Sequence, residues 1–189
     1  MKTIVLASGN KDKLKEIKEI LVDFNVISCK EAGFNEEIVE DGNSFYENAL
    51  IKAKTVALAL NMPALADDSG ICVEALNGEP GIYSARYAGD GNDEHNNELL
   101  LKNLKGKSNR KAKYVCSMVY YNPNGEIVCG EGEMAGEILE KPVGNEGFGY
   151  DPIFYSYDLN ECMGLVPAEK KNTVSHRFRA IKSLLEKLK

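Results

Sequence analysis

A mixed-sheet α/β domain is the fold class that the sequence predicts, and three observations carry it. The run KTIVLA at 2–7 is strand-like and passes at once into a segment of helical spacing, giving a βα alternation at the N-terminus. The segment AKYVCSMVYYNPNGEIVCGEGEMAGEIL holds two strand-like runs about a Pro-Asn-Gly turn, the clearest hairpin in the chain. The length, 189 residues, suits one domain with a real core, and no stretch is rich enough in Pro, Gly or Ser to mark a linker, so a single domain over 1–189 is expected.

The elements follow in order. Residues 11–23 read as a helix with Leu14, Ile17 and Leu21 on one face, and 25–28 as a short second strand. Residues 30–43 are a polar loop. NSFYENALIKAKTVALAL is a stronger helix: Ser44 and Glu47 form a capping-box pattern, Phe45, Ala49, Val56 and Leu60 an apolar stripe, and Met62-Pro63 the stop. ALADDSGICVEAL reads as strand, turn, strand. Residues 77–93 are loop-rich, DEHNNELLLKNL is a further helix, and 144–151 form a glycine-rich loop after the hairpin. The last helix begins near Ser175, with Phe178, Ile181, Leu184, Leu185 and Leu188 facing the core.

Composition narrows the classes of function. With 43% hydrophobic and 28% charged residues the chain is globular, and a net charge of −6 makes it a poor binder of nucleic-acid backbone, though one local basic pocket is compatible with that charge. Five cysteines, at 29, 72, 116, 129 and 162, are an odd number with no C-x-x-C, so neither a disulfide framework nor a zinc site is expected. Reduced thiols point to the cytoplasm. The N-terminus reads as a strand rather than a signal peptide, and no apolar run approaches the ~20 residues of a membrane helix.

Five segments could carry chemistry. Ser8-Gly9-Asn10 ends the first strand, and Lys13 lies in the first turn of the next helix. Such a seam is either an anion site built on a helix N-terminus or a plain βα turn with solvated lysines. Lys52 falls on the apolar stripe of its helix, so it must snorkel out or meet a buried anion, whereas Lys54 points to the surface. Asp67 and Asp68 follow the run Ala64-Leu65-Ala66. In a strand they point to opposite faces, so one aspartate serves a given site. With Glu40 as a second ligand, such carboxylates suit Mg²⁺, and the alternative is capping of an Asp-Ser-Gly turn. His176 and Arg177 fall in the first turn of the last helix, where cations oppose the helix dipole. They read as partners of a bound anion or polar ligand edge, or as a solvated turn. Phe148 and Tyr150, flanked by glycines, can stack on a flat base or fill the core. Two pattern matches fail. GEGEMA continues a hairpin strand instead of opening a helix, and DGNDEH lacks the glycine and glutamate of a calcium loop, leaving His95 as a surface residue.

Together these segments resemble the inosine triphosphate pyrophosphatase family over nearly the whole chain. SGNKDK, EDGNSFYENALIKA, ADDSGICVEALNGEPGIYSARYAG, FGYDPIF and SHR each match one of its signatures, the central one being the most specific. The resemblance implies a long mixed sheet flanked by helices, with two lobes and the site in the cleft, usually in a homodimer. It implies hydrolysis of non-standard purine nucleoside triphosphates (dITP, ITP, XTP) to monophosphate and pyrophosphate. It assigns the triphosphate to Ser8, Gly9, Asn10, Lys11, Asp12 and Lys13, with Lys52 and Lys171, the last chosen over Lys170 by its spacing to His176. It assigns Mg²⁺ to Glu40 and Asp68, makes Asp68 the proton acceptor, and puts Ser69 on the substrate. Phe148, Gly149, Tyr150 and Asp151, with His176 and Arg177, would hold base and sugar. No nucleic-acid or membrane partner is implied.

Overall fold

The computed structural model describes residues 1–188. Twelve helices and strands run in the order β1 (Lys2–Leu6), α1 (Lys11–Ile20), β2 (Phe24–Ser28), α2 (Phe45–Leu60), β3 (Ala64–Val73), α3 (Asp93–Asn103), β4 (Lys111–Tyr121), β5 (Ile127–Ile138), β6 (Phe154–Ser156), β7 (Glu161–Cys162), α4 (Ala168–Lys171) and α5 (His176–Lys187). The strands form a seven-stranded sheet in the order β2-β1-β3-β4-β5-β6-β7. It is mixed: β1 pairs in parallel with β2 and β3, and β6 pairs antiparallel with β5 and β7. The α/β class read from the sequence is therefore the class observed. The chain divides into two compact units, one of Met1–Asp68, Cys116–Gly132 and the residues from Arg177, the other of Ser69–Val115 and Glu133–His176.

In the first unit, alternation along the strands sorts side chains into two cores. Ile4 and Leu6 of β1 and Leu65 of β3 pack with Ile17 of α1, Leu21 at its C-terminal cap, and Ile181 and Leu184 of α5. Val5, Ala64 and Ala66 point the other way, against Ala49, Ala53, Val56 and Ala57 of α2. These small residues let α2 lie close to the strands. Gly130 of β5 does the same for α5, since a Cβ there would collide with the Ala180 carbonyl and with Leu184.

In the second unit, Ile71 and Val73 of β3, Leu100 and Leu104 of α3, and Met134 and Ile138 of β5 form one core with Tyr114, Tyr150, Ile153, Phe154 and Met163.

Most helix signals hold. Ser44 Oγ accepts from the Glu47 N–H at 3.1 Å, but the Glu47 carboxylate reaches the N–H of Asn43, one residue further back than a reciprocal capping box. Two readings are corrected. ALADDSGICV is one continuous strand, not strand, turn, strand, because both aspartates find partners on the faces they already point to. Leu185 is 37% exposed on the outer side of α5 and does not face the core.

Candidate active site

The first unit gathers a cluster of charges about Asp67 and Asp68, in the middle of β3. The two-residue repeat fixes which partner each aspartate meets. Asp67 shares the face of Leu65, toward α1 and α5. Its Oδ2 lies 3.0 Å from Lys13 Nζ and accepts from the Arg177 guanidinium at 3.3 Å. The third guanidinium nitrogen of Arg177, Nη1, donates to Glu16 Oε2 at 2.7 Å, and Arg177 is 1% exposed. Burial pushes the Asp67 carboxyl up, but Lys13, Arg177 and Lys52 together outweigh it and hold the group well below the usual carboxylate range. Cations at the start of α5 were read as calling for an anion. For Arg177 the chain supplies that anion itself.

Asp68 shares the face of Ala66, toward α2. Its Oδ2 accepts from Asn48 Nδ2 at 3.3 Å, and Lys52 Nζ stands 3.9 Å from Oδ1. Lys52 Nζ also lies 2.8 Å from Glu40 Oε1 and donates to the Asp67 carbonyl at 2.7 Å. Lys52 therefore does not merely snorkel: it joins the two carboxylates named as metal ligands. Burial drives the Asp68 carboxyl up, Lys52 and Lys13 pull it back, Glu40 adds to the rise, and the result is about 6. Asn48 has a second task, since its Oδ1 accepts from the Gly42 N–H at 2.9 Å and so ties the Glu40 loop to Asp68.

The turn before α1 is exposed at Gly9, Asn10, Lys11 and Asp12 and half-buried at Ser8 and Lys13. Asn10 caps the helix, its Oδ1 accepting from the N–H groups of Asp12 and Lys13, while Ser8 Oγ accepts from the Asn10 N–H. Two of the N–H groups expected to face an anion are thus bonded to Asn10. A Cβ at Gly9 would meet nothing within 4 Å, so the turn is open to a ligand.

The second unit builds a different cluster. Asp151, 2% exposed, accepts from the Tyr114 hydroxyl at 2.9 Å, from the Phe148 N–H at 3.1 Å and from Lys171 Nζ at 2.8 Å. Lys171 Nζ also stands 4.2 Å from the centre of the Phe148 ring. Gly147 must be glycine here: its φ is +71°, and a Cβ would strike the Asp151 carboxylate. The Gly149 N–H donates to Asp93 at 2.9 Å, the Gly149 carbonyl accepts from Asn97, and the Tyr150 hydroxyl donates to the Ser84 carbonyl at 2.6 Å. Tyr150 is a core residue, while Phe148 is half-buried at the surface of the loop. His176 stacks on Tyr114 with ring centres 4.7 Å apart and planes at 14°. Ser69 is half-buried directly after Asp68.

In the first unit the expected residues Lys13, Glu40, Lys52, Asp68 and Arg177 are brought together. In the second, Phe148, Asp151, Lys171 and His176 are. Glu16, Asn48 and Tyr114 complete the clusters and carry no site reading in the sequence, while Asp67, one of the two candidate aspartates, lies on the Arg177 side. Glu16 had one legible signal, a charge one residue from Ile17 on the buried side of α1.

Hard oxygen donors such as Glu40 and Asp68 suit Mg²⁺, which keeps several waters and takes one or two carboxylates plus substrate phosphates. Among the described residues no group of three or more His, Cys, Asp or Glu side chains is gathered for a metal, so such an ion would need a ligand's oxygens as well. The elevated Asp68 carboxyl fits that reading, because a cation would relieve the cost of its ionisation.

The sequence matches the model of the Ham1 family over residues 4–187. It is 46% identical to the dITP/XTP pyrophosphatase of Clostridium perfringens, covering 100% of this chain and 98% of that protein. It is 45% identical to the dITP/XTP pyrophosphatase of Bacillus subtilis, covering 97% and 96%. The structure of the Staphylococcus aureus Ham1 protein aligns with a TM-score of 0.89 at 44% identity over 100% of both chains. That of a HAM1 protein from Coxiella burnetii aligns with a TM-score of 0.90 at 39% identity, covering 100% and 98%.

Proposed function

The chain belongs to the Ham1 family, and from that premise we propose that it hydrolyses dITP, ITP and XTP to the nucleoside monophosphate and pyrophosphate. The observation that carries this reading is the gathering of the Glu40 and Asp68 carboxylates about Lys52 Nζ, at 2.8 and 3.9 Å, with burial raising the Asp68 carboxyl to about 6. Such a group is ionised at neutral pH yet basic enough to accept a proton from water. The water oxygen attacks the α-phosphorus in line, the bond to the bridging oxygen breaks, and that oxygen leaves with its electron pair as part of pyrophosphate. The proton released by the water goes to Asp68.

The triphosphate takes Lys13, Lys52 and the open Ser8–Lys13 turn, with Ser69 as a further contact. Each lysine faces a carboxylate that aims it, Lys13 on Asp67 and Lys52 on Glu40. Arg177 serves from beneath, holding Asp67 and through it Lys13. Mg²⁺ on Glu40 and Asp68 would supply charge neutralisation for the phosphates. The base and sugar take the second cluster, with the Phe148 ring for stacking and His176 as a donor. Hypoxanthine and xanthine carry a 6-oxo acceptor where adenine carries a 6-amino donor. A buried donor left unmet costs about 1–3 kcal/mol, enough to favour the oxo bases. Lys171 supports this half through Asp151 and Phe148, not through the phosphates named for it from the sequence. We place the enzyme in the cytoplasm, as its five unbridged thiols favour, and as a homodimer, as the family resemblance implies.

The test is a panel of ITP, dITP, XTP, GTP and ATP with Mg²⁺, reading both products. Monophosphate and pyrophosphate from the first three are expected. Orthophosphate and a diphosphate as primary products would overturn attack at the α-phosphorus, and binding without turnover would make the protein a sensor.

A further inference from the structure

Tyr114 links two distant segments of the second unit. Strand alternation on β4 turns it inward with Ala112, while Lys113 between them is exposed. Its hydroxyl donates to Asp151 Oδ1 at 2.9 Å, and its ring stacks flat on His176 at 4.7 Å. Phe154 closes its other flank, ring centres 4.4 Å apart at 42°. Asp151 in turn holds the Phe148 N–H and Lys171. One side chain thus fixes the loop that carries Phe148 and the imidazole of His176, residues 28 positions apart in the chain.

We infer that Tyr114 is a positioning residue for base recognition, joining the Phe148–Asp151 loop and His176 into one preformed face. The inference rests on the proposed assignment of that loop to the base. The physical reason is preorganisation. A glycine-flanked loop loses affinity if it must be ordered at each binding event, and a buried hydroxyl–carboxylate bond settles that cost in advance. Burial and the neighbouring Asp151 charge raise the Tyr114 hydroxyl well above its usual range, so it remains a neutral donor wherever the enzyme works.

Tyr114→Phe keeps the ring stack and removes only the donor. Expected is a rise of about tenfold in KM for ITP with kcat within about twofold, because the loss falls on binding. Inhibition by inorganic tripolyphosphate, which lacks a base, should be unchanged. Amide hydrogen exchange in residues 148–151 should speed up by about tenfold, while β1 and α1 keep their protection. Asp151→Asn should give the same exchange pattern, and the double variant should add little to either single one. A fall in kcat at constant KM, a matching loss of tripolyphosphate inhibition, or unchanged loop exchange would overturn the proposal. Should Tyr114→Phe fail to fold, Asp151→Asn alone carries the same two readouts. Should the wild type fail to cleave ITP, the function falls, and the exchange measurement still decides whether Tyr114 holds the loop.

Discussion

At the scale of residues, two neighbouring aspartates are driven in opposite directions. Asp67 binds its proton more weakly in the folded chain than in the unfolded one, so it stabilises above about pH 4, and that stability is lost as acid protonates it. Asp68 binds its proton more tightly, at about 6 against an ordinary value near 4. Its ionisation therefore costs stability, in full above pH 6, and the cost vanishes as pH falls toward 4. Asp68→Asn removes that cost. We expect the variant to lose turnover by at least ~10²-fold. We expect it also to unfold with about 1–3 kcal/mol more stability than wild type at pH 7.5, with no gain at pH 4, as denaturant titrations at the two pH values would show. Full activity in this variant would remove Asp68 from the chemistry. Lys52 is one of the charges that pull Asp68 down. Lys52→Met should then move the acid limb of the kcat/KM profile above pH 6, besides weakening phosphate binding. An unmoved limb would mean that another group sets it.

At the scale of elements, close approach decides what each element tolerates. Gly130→Ala puts a methyl group into the backbone of α5 and should cost about 1–3 kcal/mol, read as a lower midpoint in urea with an unchanged slope. A neutral result would show that α5 can shift away from the strand. The same scale separates what the sequence reveals from what it conceals. The α2 cap, the α1 stripe and the 111–138 hairpin were legible because local spacing alone specifies them. The DDSG stretch of β3 was misread because Asp, Ser and Gly are turn formers locally, while the cations that hold them in a strand come from α1, α2 and α5. The partners of Arg177 are hidden from local spacing for the same reason, its anions being Glu16 and Asp67, 161 and 110 positions away. Asn48 and Tyr114 escaped because a buried asparagine or tyrosine resembles any other core residue until its partner is seen.

At the scale of the whole molecule, a chain of net charge −6 concentrates lysines at one turn and one helix, which is what the proposed phosphate site requires for a polyanionic substrate. No helix among the described residues is long and apolar enough to cross a membrane. All five cysteines are free thiols, so stability owes nothing to covalent cross-links. Reductant should leave Tm unchanged within about 1 °C by calorimetry, and a marked fall would reveal a bridge. The alternation of β3 also has a bearing on how such a gene can change. Surface loops in general absorb an added or lost codon. One lost codon within Ala64-Leu65-Ala66 would instead slide every later residue to the opposite face. Asp68 would enter the cage of Lys13 and Arg177, and Asp67 would swing to the cage's outer neighbours, into the dry alanine seam. Chain length at this point is therefore as tightly constrained by the fold as any side chain of the site.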